Sequence, residues 1–327
     1  MTQEKVWVGA DICKVHIDVY ILPQAETCQY DNSPEGVEAL MMKLKALSPQ
    51  LIVFESTGGL ERLFVERLQA YELPMTMVNP RKIRAYALAL GKAKTDVLDA
   101  EVIARFAESL KPTPQQPATN GAKKLRDLVT RRRQLVTMRV AESNRLSRCP
   151  KSIKDDISDH IEQLTHRIDK LSEEIKQLSK QQREWDQKRK ILLSVPGVGP
   201  VSAALCLAEL PELGTLNEKQ IARLVGVAPI NRDSGQQKGK RMIQGGRTHL
   251  RCGLYMTALV ATRFNPVIKR FYQWLINRGK LHIVALTACL RKLVVILNAI
   301  VRDNRMWQVP AKGVSPQSGT KGMPRLY

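Results

Sequence analysis

Four acidic residues fall where carboxylates can act together. Asp11 closes the strand-like run that contains Gly9-Ala10, Glu55 follows the apolar run Leu51-Ile52-Val53-Phe54, and Asp96 and Asp99 stand three apart in Lys94-Thr95-Asp96-Val97-Leu98-Asp99, at a predicted helix start. Residues i and i+3 share one helix face. Acids at the C-terminal ends of adjacent strands, faced by a helix that presents two more, make an oxygen-rich pocket suited to Mg2+ or Mn2+. Two such ions can activate one oxygen and stabilise another at a phosphodiester. Each acid alone has an ordinary explanation, since the dipole favours aspartate at a helix start and Asp11 suits a turn. The four in this order, on these elements, point to metal-dependent phosphate chemistry.

The second half of the chain carries positions aimed at the same substrate class. Leu193 to Ala204, centred on Pro196-Gly197-Val198-Gly199-Pro200, has the form of a helix-hairpin-helix. Gly197 and Gly199 would let backbone amides approach a phosphate, and the helix start adds a favourable dipole. A plain interhelical turn is the competing reading. Ala228 to Arg241 is a polar, basic, Gly-containing loop without Walker spacing. Its Ser234 lies among Arg232, Lys238, Lys240 and Arg241 and has two readings: a nucleophile whose developing charge is met by cations, or a loop serine beside phosphate-binding lysines. Spacing alone favours the second. Arg247 and Arg251 supply further cations, as does the run Arg131, Arg132, Arg133; His249 reads equally as structural or functional.

The elements that must position these residues begin with a hairpin, Val6 to Ala10 followed by Val15 to Leu22, where apolar residues alternate at Val15, Ile17, Val19 and Ile21. A weaker strand near Cys28 to Tyr30 precedes a helix opened by Ser33-Pro34-Glu35. Then come the strand Leu51 to Phe54, a helix over Leu60 to Tyr71, a strand Met75 to Val78 and a helix after Pro80. A strand meander followed by alternating helices and strands predicts an α/β domain, a mixed sheet with helices on its faces. Lys111 to Gly121, with three prolines, marks a domain edge. Ala122 to Arg148 reads as a basic helix. After it, Ile157, Ile161, Leu164, Ile168, Leu171, Ile175 and Leu178 recur at alternating spacings of four and three, a coiled-coil seam open either to the preceding helix or to a second chain. The expected domains are 1–111, 112–190 (basic helix and coiled coil), 191–306 (helical, carrying the serine loop) and a disordered tail 307–327.

Composition agrees with this division. A chain of 327 residues with 43% hydrophobic residues suits two domains. The formal net charge is +21; residues 1–111 hold 13 basic and 15 acidic residues, so the net of −2 there leaves +23 in residues 112–327. Such segregation favours a polyanionic partner, nucleic acid before a membrane. No apolar run approaches the roughly 20 residues of a membrane span and no signal-peptide pattern opens the chain, which implies a cytoplasmic protein. The six cysteines lack metal-site spacing and are expected to be reduced and mostly buried.

Taken together, these motifs closely resemble the DEDD insertion-sequence transposases, the family that includes the pilin-gene invertases and the bridge-RNA-guided recombinases. The resemblance spans nearly the whole chain and rests on Gly9-Ala10-Asp11, Phe54-Glu55-Ser56-Thr57-Gly58, Val78-Asn79-Pro80, Lys94-Thr95-Asp96 with Asp99, Pro196-Gly197-Val198-Gly199, Ala228-Pro229 with Ser234-Gly235, and Leu250-Arg251 through Tyr255-Met256. It implies an RNase H-like (RuvC-type) N-terminal domain with Asp11, Glu55, Asp96 and Asp99 as metal-binding tetrad. It further implies Ser234 as a nucleophile forming a phosphoserine link to DNA, and a structured guide RNA that pairs donor and target DNA. The expected activity is that of a DNA transposase or recombinase working as a dimer or tetramer. The alternatives are a structure-selective nuclease acting by hydrolysis, with Ser234 only binding phosphate, and a non-catalytic nucleic-acid scaffold. Alanine before Asp11, where the family has a larger apolar residue, and the tail ending Pro324-Arg325-Leu326-Tyr327 depart from the pattern.

Overall fold

The computed structural model describes residues 5–91, 99–115, 119–231, 239 and 241–308. The chain divides into two compact units, Met1–Ala118 and Thr119–Tyr327.

The first unit is built on five strands: β1 (Trp7–Ile12), β2 (His16–Leu22), β3 (Glu26–Asp31), β4 (Leu51–Glu55) and β5 (Met75–Val78). Four helices accompany them: α1 (Pro34–Leu47), α2 (Arg62–Ala70), α3 (Pro80–Ala89) and α4 (Asp99–Leu110). The sheet order is β3-β2-β1-β4-β5, with β1–β2 and β2–β3 antiparallel and β1–β4 and β4–β5 parallel. An antiparallel meander continued by two parallel strands is the RNase H-like topology. Strand alternation divides the core. Val8, Ala10 and Ile12, with Ile17, Val19 and Ile21, pack under α1 and α2, while Trp7, Leu51 and Val53 pack with α3 and α4 on the other face. The helix starts follow the local chemistry: Ser33 Oγ accepts from the Gly36 amide at 3.1 Å, Asn79 Oδ1 accepts from the Arg81 amide at 2.9 Å, and each helix has proline in its first turn.

The second unit is helical. A long helix α5 (Asn120–Leu146) turns back through a 3-10 segment, Lys151–Ile153, into α6 (Lys154–Gln181). Lys124 near the start of α5 pairs with Glu174 near the end of α6, and Glu142 near the end of α5 with His160 near the start of α6, so the two run antiparallel. Between them lie Leu135, Leu164 and Ile168, flanked by Val136 and Leu171. The seam read from the sequence therefore closes on the preceding helix of the same chain. There follow α7 (Arg183–Leu193), α8 (Pro200–Glu209), α9 (Glu218–Val225), a ribbon of β6 (Pro229–Ile230) and β7 (Met242–Ile243), then α10 (Thr248–Phe264), α11 (Pro266–Asn277) and α12 (His282–Arg302). By length and composition α12 could cross a bilayer, but half of its apolar window is buried, and Leu286, Leu290, Leu293 and Leu297 sit at the centre of the unit's core. Trp307 packs against that core, its amide donating to Ser194 Oγ at 2.8 Å; residues 309–327, most of the expected tail, lie outside the described residues. Of the cysteines, Cys206 and Cys289 are buried, with burial pushing both thiols up to about 12, three are half-buried, and Cys252 is exposed, contrary to the expectation for most.

Candidate active site

In the first unit the register of the strands assembles a row of polar side chains. β1 and β4 pair from Trp7 with Leu51 to Ala10 with Phe54, and that register carried one residue further sets Asp11, next to last in β1, level with Glu55, the last of β4. Across β1–β2, Asp11 is the direct partner of Asp18, and across β2–β3, Asp18 is the partner of Gln29. Side chains in register share a face and stand roughly 4.5–5.5 Å apart at Cβ. That face is the one covered by α3 and α4, because Trp7 and Val53, two-residue steps from Asp11 and Glu55, pack there. Asp99 is the first residue of α4 and, like Asp11 and Glu55, is half-buried.

The approach of α4 is set by Gly9, Ala100 and Ala104. A Cβ at Gly9 would lie 2.3 Å from both the Ala100 carbonyl oxygen and the Ala104 amide nitrogen, so the helix start rests directly on β1, two residues before Asp11. Asp99, one residue before Ala100, therefore starts the helix that crosses β1 at Gly9. Asp96 lies outside the described residues. Among the described residues no three His, Cys, Asp or Glu side chains come close enough together to hold an ion. The donor chemistry nevertheless fits a hard divalent cation, because the groups gathered at this edge are carboxylates and bring no thiolate.

Sequence reasoning missed Asp18. Its Oδ1 accepts from Gln29 Nε2 at 2.7 Å, and Oδ2 is 3.2 Å from His16 Nε2. The signal lies in the polar positions His16 and Asp18, alternating with buried Ile17 and Val19, but its meaning depends on register.

Two further residues steady the exits from the acid-bearing strands. Asn32 Nδ2 donates to the Cys13 carbonyl at 2.9 Å and to the Leu60 carbonyl at 3.3 Å, tying the turn after β1 to the loop after β4. Within that loop Glu61 accepts from the Gly59 amide at 2.9 Å, the Thr57 amide at 3.3 Å and the Thr57 hydroxyl. Burial alone would raise its carboxyl, but these donors outweigh burial and hold it below the usual glutamate range.

In the second unit, the turn between α7 and α8 contains Gly197 and Gly199. Gly197, at φ 98°, abuts the Ala261 backbone of α10, whereas Gly199 faces open space and starts α8 without a side-chain cap. The serine loop springs from the β6–β7 ribbon. Ser234, Arg232, Lys238 and Lys240 lie outside the described residues, while Arg241 is exposed beside β7. The base of the loop is firmly held. Arg247 forms a two-pronged pair with Glu212, both contacts at 2.6 Å, and donates to the Glu209 carbonyl at 2.8 Å; Arg251 donates to the carbonyls of Gly245 at 2.5 Å and Gly226 at 3.2 Å. On α5, Arg131 binds Gln134, Arg132 donates to Ser172 Oγ of α6 at 2.7 Å, and Arg133 lies 3.5 Å from Glu209. Burial, then the charge of Arg139, lowers the Arg132 pKa.

Comparison with known proteins agrees with this architecture. A family model described as Transposase, for the DEDD transposases of IS110, matches residues 8–155, and a second, Transposase IS116/IS110/IS902 family, matches residues 189–273. The pilin gene-inverting protein of Moraxella bovis is 26% identical over 313 residues, covering 92% of this chain and 97% of its own length. The insertion element IS116 uncharacterized 44.8 kDa protein of Streptomyces clavuligerus is 33% identical over 157 residues, 46% of this chain and 39% of its own. T. thermophilus RuvC in complex with Holliday junction substrate matches at a TM-score of 0.27 and 13% identity, over 34% of this chain and 100% of the RuvC chain, a likeness too slight to bear on the argument. With both family models falling in order along it, the chain belongs to the IS116/IS110/IS902 family of insertion-sequence transposases.

Proposed function

We propose that this transposase cuts and rejoins DNA by joining a divalent-metal centre of Asp11, Glu55, Asp96 and Asp99 to a nucleophilic Ser234. The observation that carries the reading is the sheet edge, where Asp11 and Glu55 stand in register and α4 starts with Asp99. When bound, Mg2+ or Mn2+ would polarise the phosphate and stabilise charge on an attacking or leaving oxygen. The chain's own part is to hold the carboxylates at the strand ends and to offer the hydroxyl. Ser234 Oγ attacks the phosphorus, a P–O bond to a deoxyribose oxygen breaks, and that oxygen leaves as a hydroxyl with the serine proton. Attack by the hydroxyl of another strand reverses the exchange and frees the serine. Neither part suffices: the acids contain no nucleophile, and the serine loop contains no acidic cluster.

Donor and target DNA are the substrates in this reading, and a structured RNA guides their pairing. DNA or RNA backbone contacts come from Arg131 to Arg133, the Gly197–Gly199 turn and the loop cations Arg232, Lys238, Lys240 and Arg241. Arg247 and Arg251 act first through the bonds that anchor that loop. The protein works as an oligomer, in the cytoplasm; because the α6 seam is filled by α5, an oligomer contact must use another surface.

Asp11→Asn and Asp99→Asn are each expected to lose strand cleavage by at least about 100-fold while keeping nucleic-acid affinity within about threefold, because the acids hold metal rather than DNA. Cleavage is read on labelled junction DNA across a Mg2+ titration, and binding is read in EDTA. Retained cleavage in both variants removes the tetrad from the mechanism.

A further inference from the structure

From Thr248 to Arg302, the stretch spanning α10 to α12, the chain carries nine lysines and arginines and no aspartate or glutamate. Among the described residues its ion pairs are confined to the end, where Arg302 meets Asp303. The positive field of this surface is therefore uncompensated from within.

On α11 that field surrounds an aromatic. Lys269, Arg270, Gln273, Trp274 and Asn277 form the exposed face of the helix, and Trp274 is 47% exposed in their midst. Its ring belongs to a layered stack. The Arg278 guanidinium lies 4.2 Å from the Trp274 ring centre, Trp274 and Phe271 stack at 5.9 Å and 18°, and the Lys292 ammonium lies 4.6 Å from the Phe271 ring. Phe271 and Lys292 are the sheltered end and Arg278, exposed, is the open one. A guanidinium seated over an aromatic ring can offer its other face to a second π-system and its N–H groups to a phosphate.

We propose that this face binds unpaired bases of single-stranded nucleic acid, a base extending the stack at its Arg278 end while Lys269 and Arg270 meet the flanking phosphates. Phosphates satisfy the uncompensated charge, and an unpaired base offers the π-face that a duplex hides between its neighbours. The proposal rests on the reading above only for nucleic acid as partner class, and not on the metal or serine chemistry.

The test uses the full-length protein in EDTA, with fluorescence anisotropy on oligo(dT), oligo(U) and a duplex of equal length. Trp274→Ala should weaken single-strand binding about tenfold, because it removes the ring that holds Arg278 as the stacking platform. Trp274→Phe should recover most of it, Arg278→Ala should reproduce the loss with the ring intact, and duplex binding should move by less than about twofold. A loss on oligo(U) alone identifies RNA as the occupant and a loss on oligo(dT) alone identifies DNA. Unchanged single-strand affinity, or an equal loss on duplex, overturns the proposal. Cleavage assays of the Asp11 variant are independent of this measurement, so the failure of either reading is distinguishable.

Discussion

At the scale of residues, the geometry of the acidic edge depends on one missing side chain. Gly9 allows α4 to touch β1 where any Cβ would meet backbone atoms at 2.3 Å, and backbone cannot yield as a flexible side chain does. Gly9→Ala is expected to cost roughly 1–3 kcal/mol by overpacking and to shift the start of α4, which carries Asp99, relative to β1. Urea unfolding should show the loss of stability, and the Mg2+ concentration for half-maximal cleavage should rise; a variant with unchanged values would mean that α4 can shift without consequence. The strand ends and helix start that carry Asp11, Glu55 and Asp99 were legible in the sequence, but the part played by Gly9 was not, because it depends on where α4 crosses β1. Asp18 was not, because only the register of β1 against β2 reveals that it stands opposite Asp11. The bracing by Asn32 and Glu61 was hidden for the same reason: both join segments whose proximity is set by the sheet.

At the scale of elements, local signals located most of the parts. Alternation at Ile17, Val19 and Ile21 gave β2, Ser33-Pro34 and Asn79-Pro80 gave the starts of α1 and α3, and the four-three spacing gave α6. The partner of α6 could not be read, since periodicity defines an apolar stripe but not what covers it. Nor could the duties of Arg247 and Arg251, whose partners come from the α8–α9 segment, the end of α9 and the turn before α10. Glu212 shows what that anchoring contributes. Burial would raise its carboxyl, but hydrogen bonding and charge from Arg247 outweigh burial and hold it below its ordinary value of 4.5. A depressed carboxyl stabilises the fold above its unfolded value, and that contribution is lost as the pH falls through the folded value. Glu212→Gln is thus expected to be less stable than the parent by about 1–2 kcal/mol at neutral pH, modest because both partners are a third exposed. The difference should shrink progressively as the pH is lowered beneath 4.5 in urea titrations. A gap independent of pH would show that the ion pair contributes nothing through charge.

At the scale of the whole molecule, the near-neutral first 111 residues and the +23 of the remainder divide the work. On the proposed reading, the acidic centre would concentrate metal ions and the basic half phosphate. Their chemistry is complementary: one supplies carboxylates and the other a serine among cations. Mass spectrometry of the protein after reaction with cleavable DNA in Mg2+, protease digestion and nuclease trimming tests that complementarity most directly. A nucleotide joined through phosphate to Ser234, formed by the parent protein and absent from Ser234→Ala and from Asp11→Asn, is the predicted result. DNA cleaved to free phosphate ends with no adduct on any peptide, and unimpaired in Ser234→Ala, would contradict it and leave a metal-dependent hydrolase.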